Sequence, residues 1–482
     1  SASLVGSEMC IRDRNMKYFL TLIQLWVGFL SICASYPKAN IWIIPSVESP
    51  QVYRNYAQTS KVHLEMARGE VEHIQLVFPS KVNEEYRFTF DRYLKGIQIS
   101  ARELKKMNGY YDALVPFKNQ LKCTDTLTAV WITVQCPSRV PVGKYHQTIK
   151  IEGSKHFTIQ LDYNVHHTTI PLKSSIPITV GVENRCMTEC LNDKEADKER
   201  QRWVDFVLSY RMTPVFGTQI TPERWQYEHS FSPWAWNDKR SIRLLNDRRY
   251  SCYMLPFFTL SENELASLLC NIQKKGKLKE SLFYIWDEPA YMEDYEQIKR
   301  KVNIIRKYAS DARILTTFFC GPRNGPRKGD LYAVFDYLKH HIHVATISLA
   351  PCKGNEEEVQ HIRYKVPEGI DWWSYVCWQP GGNEPNFLLQ MKGIQQRAIM
   401  WRTWKNGSQG FLYWNCNIYH KRNPFTYITD MPHGDGILIY PGDILGCKGP
   451  IASARLERWR DGAEEMELLR LVEKNYSKEK AD

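Results

Sequence analysis

SLFYIWDEP, residues 281–289, decides how the rest of the chain reads. Leu282, Phe283, Tyr284, Ile285 and Trp286 are aromatic or aliphatic with no breaker among them, which predicts a strand. Pro289 cannot continue a central ladder. A continuous apolar run is the mark of a parallel strand buried on both faces, and the carboxyl ends of such strands hold the chemistry of α/β proteins. This run ends in two adjacent acids, Asp287 and Glu288. Acids placed there are costly unless water, partners or a substrate compensate them. The alternative is that they only open the helix predicted over 291–308 as N-cap residues.

Working outward, strands alternate with helices on both sides. Strands are predicted at 178–182, 213–217, 250–258, 282–286, 313–319, 340–349, 372–378 and 410–416. Helices are predicted at 194–210, 262–275, 291–308, 354–364 and 388–404, with a terminal one over 451–473. Eight strands in this rhythm match a (β/α)8 TIM-type barrel, with SLFYIWDEP as its fourth strand. A doubly wound open sheet would usually carry a phosphate-type glycine fingerprint, and none is present. In a barrel the strand ends meet at one mouth. Here they read Glu183-Asn184, Asp287-Glu288, Cys377-Trp378-Gln379-Pro380 and Trp414-Asn415. Acids, amides and flat aromatics around one pit suggest a carbohydrate pocket.

Upstream the texture differs. From 41 to 163 the segments are short, often alternate in period two and are separated by turns, which predicts a β-sandwich. PLKSSIP (171–177) is the expected joint, giving a sandwich domain over 36–170 and a catalytic domain over 171–482. His166 and His167 are neighbours on a strand and point to opposite faces, so they are discounted as a metal pair. Residues 1–15 read as adapter or vector sequence. From Met16, Lys17 precedes an apolar run over 18–34 that ends in small residues, the pattern of a signal peptide over 16–35. The run is short of the about 20 residues a span needs, and no other long apolar run follows. The expectation is a secreted protein with no stable membrane span. The net charge of +11 is dispersed in clusters mixed with acids, which argues for solvated helix faces and against a nucleic-acid partner. The 13 Cys show no metal-ligand spacing, and no metal or other cofactor is expected.

YIWDEP, YVCWQP, SQGFLYWN, LIYPGD (438–443) and ARLERWRDGAEEMELL (454–469), in this order, resemble glycoside hydrolase family 123, and ARGEVEHIQLVF (67–78) is similar to that family's sandwich. The resemblance implies an N-terminal β-sandwich before a (β/α)8 barrel, and a β-N-acetylgalactosaminidase acting through the substrate's own 2-acetamido group. It makes Glu288 the general acid/base and Asp287 the residue that orients the acetamide. The acetamido oxygen then attacks the anomeric carbon, so no protein nucleophile is needed. Glu288 must start protonated, which a neighbouring carboxylate and a partly apolar mouth favour. Consecutive strand residues point to opposite faces, so both acids reach one pocket only if the strand end twists or bulges.

The remaining candidates are softer. Trp378 and Trp414 are candidate sugar-stacking platforms. Tyr375 and Tyr413 are candidates to hydrogen-bond the sugar, or else pack in the core. Asn184 and Asn415 are candidates to read sugar hydroxyls. Arg455, Glu457, Arg460 and Asp461 match a family motif but lie along one helix, which favours a structural ion network. Ser408-Gln409 depart from the family pattern, in which an acid precedes the glycine. The aromatic-rich loop over 221–249, with Trp225, Tyr227, Trp234 and Trp236, is a candidate pocket wall. Two other readings stay open: a carbohydrate-binding protein without catalysis, and a glycosidase with conventionally separated carboxylates.

Overall fold

The computed structural model describes residues 40–91, 96–221, 226–319, 321–330, 332–350, 366–424 and 433–481. The expected adapter segment, signal peptide, helix over 354–364 and Trp225 lie outside the described residues.

The first ten strands are β1 (Trp42–Pro45), β2 (Lys61–Arg68), β3 (Val71–Pro79), β4 (Glu85–Phe90), β5 (Gln98–Met107), β6 (Tyr110–Pro116), β7 (Gln120–Lys122), β8 (Leu127–Gln135), β9 (Gly143–Glu152) and β10 (His156–Thr169). They form two five-stranded sheets, ordered β1-β3-β8-β5-β6 and β2-β10-β9-β4-β7. Ile74, Leu76 and Phe78 of the first sheet share one core with Ile149, Ile151, Phe157 and Ile159 of the second. β9 has a solvated outer face and alternates buried with exposed positions. β3 and β8 are buried at nearly every position, because their second face is covered by the C-terminal half. Val77, Ala129 and Trp131 point that way and join the large core of the C-terminal half.

The C-terminal half is built on β11 (Ile178–Glu183), β12 (Thr213–Thr221), β13 (Gln226–Ser230), β14 (Tyr253–Met254), β15 (Ser281–Trp286), β16 (Arg313–Phe318), β17 (Val344–Ser348), β18 (Asp371–Val376) and β19 (Phe411–Tyr413). These nine strands make one sheet ordered β13-β12-β11-β19-β18-β17-β16-β15-β14. All neighbours are parallel except β12 and β13. The two ends approach where the Phe231 N–H donates to the Met254 carbonyl at 2.6 Å, so the sheet is a nearly closed mixed barrel. The eight predicted strands are all present. β13 is a ninth, which the sequence QYEHS does not announce because it has no apolar alternation. Gly181 lets the barrel close tightly: a Cβ there would stand 1.9 Å from the Trp414 carbonyl oxygen.

Helices cover the outside. Glu262–Lys274 buries Leu265, Leu268, Leu269 and Ile272 along one stripe, and a Ser261–Glu264 capping box starts it. The helix predicted over 388–404 is two shorter ones, Gly393–Arg397 and Ile399–Lys405. The terminal helix, Ala454–Asn475, is different in kind: it is buried on most sides and carries charge inward. Arg455 pairs with Asp112 of β6 at 2.9 Å, and Glu457 with Arg102 of β5 at 2.6 Å. Asp461 meets His73 of β3 at 3.2 Å, and the Glu464 carboxylate accepts the Val71 N–H at 2.8 Å. The motif ARLERWRDG is thus an ion network that joins the terminal helix to the first sheet. No helix among the described residues is long and apolar enough to cross a membrane.

Candidate active site

The barrel interior is layered by Val215, Cys252, Met254, Leu282, Leu315, Val344, Trp373, Tyr375 and Leu412, with Tyr284 and Trp414 against them. β15 therefore sends Leu282 and Tyr284 inward, while Phe283 and Ile285 join the outer core. Strict alternation would bring Trp286 inward and turn Asp287 out. The register shows why this does not happen. Tyr284 pairs with Leu315, but the next pair is Trp286 with Thr316, so Ile285 is an extra residue. This bulge shifts the phase by one. Trp286 packs against the outer core, and Asp287 turns inward beside Thr317. Glu288 follows in the left-handed region, with φ of 44°. That conformation costs a non-glycine residue about 1–2 kcal/mol. It turns the second acid back toward the same mouth, and the bulge that the adjacent pair requires is present.

The hydrogen bonds around the two acids are directional. The Thr317 hydroxyl donates to Asp287 Oδ1 at 2.7 Å and accepts the Glu288 N–H at 3.0 Å. The Tyr284 hydroxyl donates to the same Oδ1 at 2.8 Å. Asp287 lines a cavity, and its Oδ2 has no protein hydrogen bond among the described residues. The Tyr375 hydroxyl, from β18, donates to Glu288 Oε1. Both acids are exposed to solvent. Desolvation, with the Asp287 charge beside it, raises Glu288 to about 7 against the pull of Tyr375 and Arg323. Glu288 is therefore an acid that holds its proton into the neutral range.

A cavity of about 450 Å³ opens beside Asp287, with Gly181, Gly217, Tyr227, His229, Tyr284, Asp287, Trp414 and Asn415 in its wall and Glu288 next to it in the chain. His229 stacks on Tyr284 with ring centroids 4.3 Å apart, and desolvation pushes it down to about 3, so its imidazole is neutral. His229 lies on the strand that the sequence reading missed.

The other candidates separate. Trp414 lines the cavity, and its indole N–H donates to Asp435 at 3.1 Å. Asn415 lines it too, with Oδ1 taken by the Asn417 N–H at 2.9 Å. Trp378, beyond β18, is 45% exposed and is not in the cavity wall. Asn184 bonds Thr218 at 3.1 Å, also away from that wall. Tyr413 also borders the cavity, while its ring packs edge-on against Phe387 and Trp459 and its hydroxyl donates to Asp435 and accepts the Gly436 N–H. The alternation of β19 gives the interior to Leu412 and Trp414. Of the aromatic loop, Tyr227 reaches the cavity. Trp234 is buried elsewhere, under the Arg240 guanidinium.

A proton-holding acid beside a buttressed carboxylate, with an indole, an amide and tyrosines around one pit, is the equipment of a glycoside-cleaving enzyme. Residues 198–472, more than half of the chain, match the model of the glycoside hydrolase 123 catalytic domain. The chain belongs to glycoside hydrolase family 123 and is a glycoside hydrolase. Its fold is similar to that of a family 123 glycoside hydrolase from Clostridium perfringens, solved to detail glycolipid glycan hydrolysis. The TM-score is 0.65 at 14% identity, over 90% of this chain and 89% of that one. A Bacteroides ovatus GH5 xyloglucanase overlaps loosely, with a TM-score of 0.29 at 10% identity over 84% of this chain and 98% of that one. A Dictyoglomus thermophilum β-D-glucuronidase does likewise, at 0.34 and 9% over 89% and 75%. No curated protein matches the chain.

Proposed function

We propose that the chain is a secreted, retaining hexosaminidase that removes β-linked N-acetylgalactosamine from a glycan, glycolipid or glycoprotein by substrate-assisted catalysis. The observation that carries this is the division of labour between two consecutive acids. Asp287 is held through Oδ1 by Tyr284 and Thr317, with Oδ2 left for an acetamide N–H. Glu288, raised to about 7, supplies the proton. In the first step the acetamide oxygen bonds to the anomeric carbon, the glycosidic bond breaks, and the Glu288 proton goes to the leaving oxygen. Asp287 stabilises the positive charge of the oxazolinium-like intermediate. Water then adds at the anomeric carbon and gives a proton back to Glu288, while the bond from that carbon to the acetamide oxygen breaks and the acetamide is restored. Trp414 serves as a stacking face and Asn415 as a hydroxyl reader. The glycolipid glycans of the Clostridium perfringens relative support the substrate class.

The same reading takes β11, β12 and β14 to β19 as a (β/α)8 barrel with β13 inserted, and keeps the domain bounds 36–170 and 171–482. It includes export through 16–35, which recovery from the medium of a chain beginning near residue 36 would support.

The deciding experiment offers an aryl β-N-acetylgalactosaminide beside the matching β-galactoside. Turnover of the first alone is expected. Cleavage of the galactoside alone sinks the mechanism, because that sugar has no acetamide. Binding without hydrolysis at any pH would make the chain a lectin-like relative. Glu288→Gln is expected to spare the first step for a good leaving group and to be rescued by azide. Asp287→Asn is expected to lose roughly 10²–10³-fold in kcat without rescue, since cyclisation itself is impaired.

A further inference from the structure

We propose that Glu183 is a specificity-determining residue whose carboxyl group hydrogen-bonds a ring hydroxyl of the bound sugar. The inference deepens the hexosaminidase reading and rests on it. Glu183 ends β11, across the barrel from β15, and is 4% exposed. One side chain clamps its backbone: Asn417 Oδ1 accepts the Glu183 N–H at 2.8 Å, and Asn417 Nδ2 donates to the Glu183 carbonyl at 3.1 Å. Of the two carboxyl oxygens, Oε1 accepts the Arg185 N–H at 3.4 Å, at the start of helix Asn184–Thr188. Oε2 is buried and has no hydrogen-bond partner among the described residues.

That oxygen lies beside Gly217. The point where Gly217 would carry a Cβ lies 3.7 Å from Glu183 Oε2 and 3.6 Å from Tyr227 Cδ1. Gly217 and Tyr227 both line the cavity that holds Asp287. Glu183 itself is not in the cavity wall; its unpaired oxygen lies behind Gly217, a wall position with no side chain to separate it from the pit. A buried polar atom left unpaired forfeits its hydrogen bond, and a pocket built around one discriminates against ligands that cannot complete it. A sugar hydroxyl both donates and accepts, so it pairs with the carboxylate or with the acid. Glu183 exists in both forms near neutrality, because desolvation lifts it to about 7 against the opposing Arg185 amide and charge.

The test is a cycle between residue and hydroxyl. The wild type, Glu183→Leu and Glu183→Gln are compared on an aryl β-N-acetylgalactosaminide and its 3-, 4- and 6-deoxy analogues. Binding of the corresponding free sugars is measured by calorimetry in parallel. One deoxy analogue is expected to lose roughly 10–100-fold in kcat/KM and in affinity with the wild type, and less than about 3-fold with Glu183→Leu. Glu183→Gln is expected to restore part of that discrimination, since an amide still hydrogen-bonds. Should Glu183→Leu not fold, Gly217→Ala takes its place. Its methyl group makes only ordinary contacts but fills the gap in front of Oε2, and the same selective loss is expected.

Equal losses on all analogues, or wild-type discrimination in Glu183→Leu or Gly217→Ala, overturn the proposal. Wild type that binds the sugars with Glu183-dependent selectivity but turns none over refutes the hexosaminidase reading and leaves Glu183 assigned. Failure to bind any of the sugars overturns both.

Discussion

Glu288 is shaped by effects of opposite sign. Desolvation and the Asp287 charge raise it, and the Tyr375 hydroxyl and the Arg323 charge lower it by stabilising the ionised form. Its folded value of about 7 lies above the ordinary 4.5, so the proton is held below that pH and lost above it. Activity that needs the proton must therefore fall as pH rises through about 7, approaching tenfold per unit. Tyr375→Phe removes a stabiliser of the carboxylate and is expected to move this alkaline limb of kcat/KM to higher pH. Asp287→Asn removes a like charge and is expected to move it lower, at a much reduced rate. Shifts of one sign in both variants would contradict the assignment. The acids themselves were legible in DEP, and Tyr375 was named from YVCW. His229 was not singled out, because it sits in a polar string; Glu183 was placed at the mouth as the end of the first strand but given no role.

At the scale of the element, β15 works through its bulge. Thr317 locks that arrangement by giving its hydroxyl proton to Asp287 and taking the Glu288 N–H. Thr317→Val keeps the shape and removes both bonds. We expect kcat/KM to fall roughly 10–100-fold while stability changes by only about 1 kcal/mol, since the strand pairing is untouched. A melting temperature far below wild type would instead make Thr317 a structural residue. The bulge could not be read in LFYIW, because every position is aromatic or aliphatic: with core on both faces the alternation carries no phase. The sandwich strands were readable for the opposite reason, as the solvated face of β9 exposes its period. The terminal helix was found from its length and spacing. That its charges point inward depends on Asp112, Arg102 and His73, all more than 300 residues away in sequence.

Across the whole molecule, those inward charges tie the first sheet to the wall of the pit. Asp112 of β6 accepts from Arg455 and from the Tyr440 hydroxyl. Arg455 also donates to the carbonyls of Phe387 and Gly434, both at 2.7 Å. Gly434 precedes Asp435, which accepts the indole N–H of Trp414 in the cavity wall. Desolvation raises Asp435 to about 6, against the hydrogen bonds from Trp414 and Tyr413. The chain of contacts thus runs from the N-terminal sheet to a candidate sugar-stacking ring. Ala129, Trp131 and Val77 join the core of the barrel half, so the two halves share packed apolar surface although the sandwich keeps a core of its own. Two consequences follow from one cause. The full chain is expected to unfold in a single calorimetric transition, and two resolved transitions would show that the shared core does not couple the halves. Asp112→Ala strips the partner from a buried guanidinium, which costs about 3–5 kcal/mol, and is expected to lower that one transition as a unit. Because Arg455 also positions residues 434–437, the same variant is expected to weaken sugar binding and shift Trp414 fluorescence at temperatures where it is still folded. A variant that loses stability while its affinity and fluorescence stay at wild-type values would confine the network to holding the halves together.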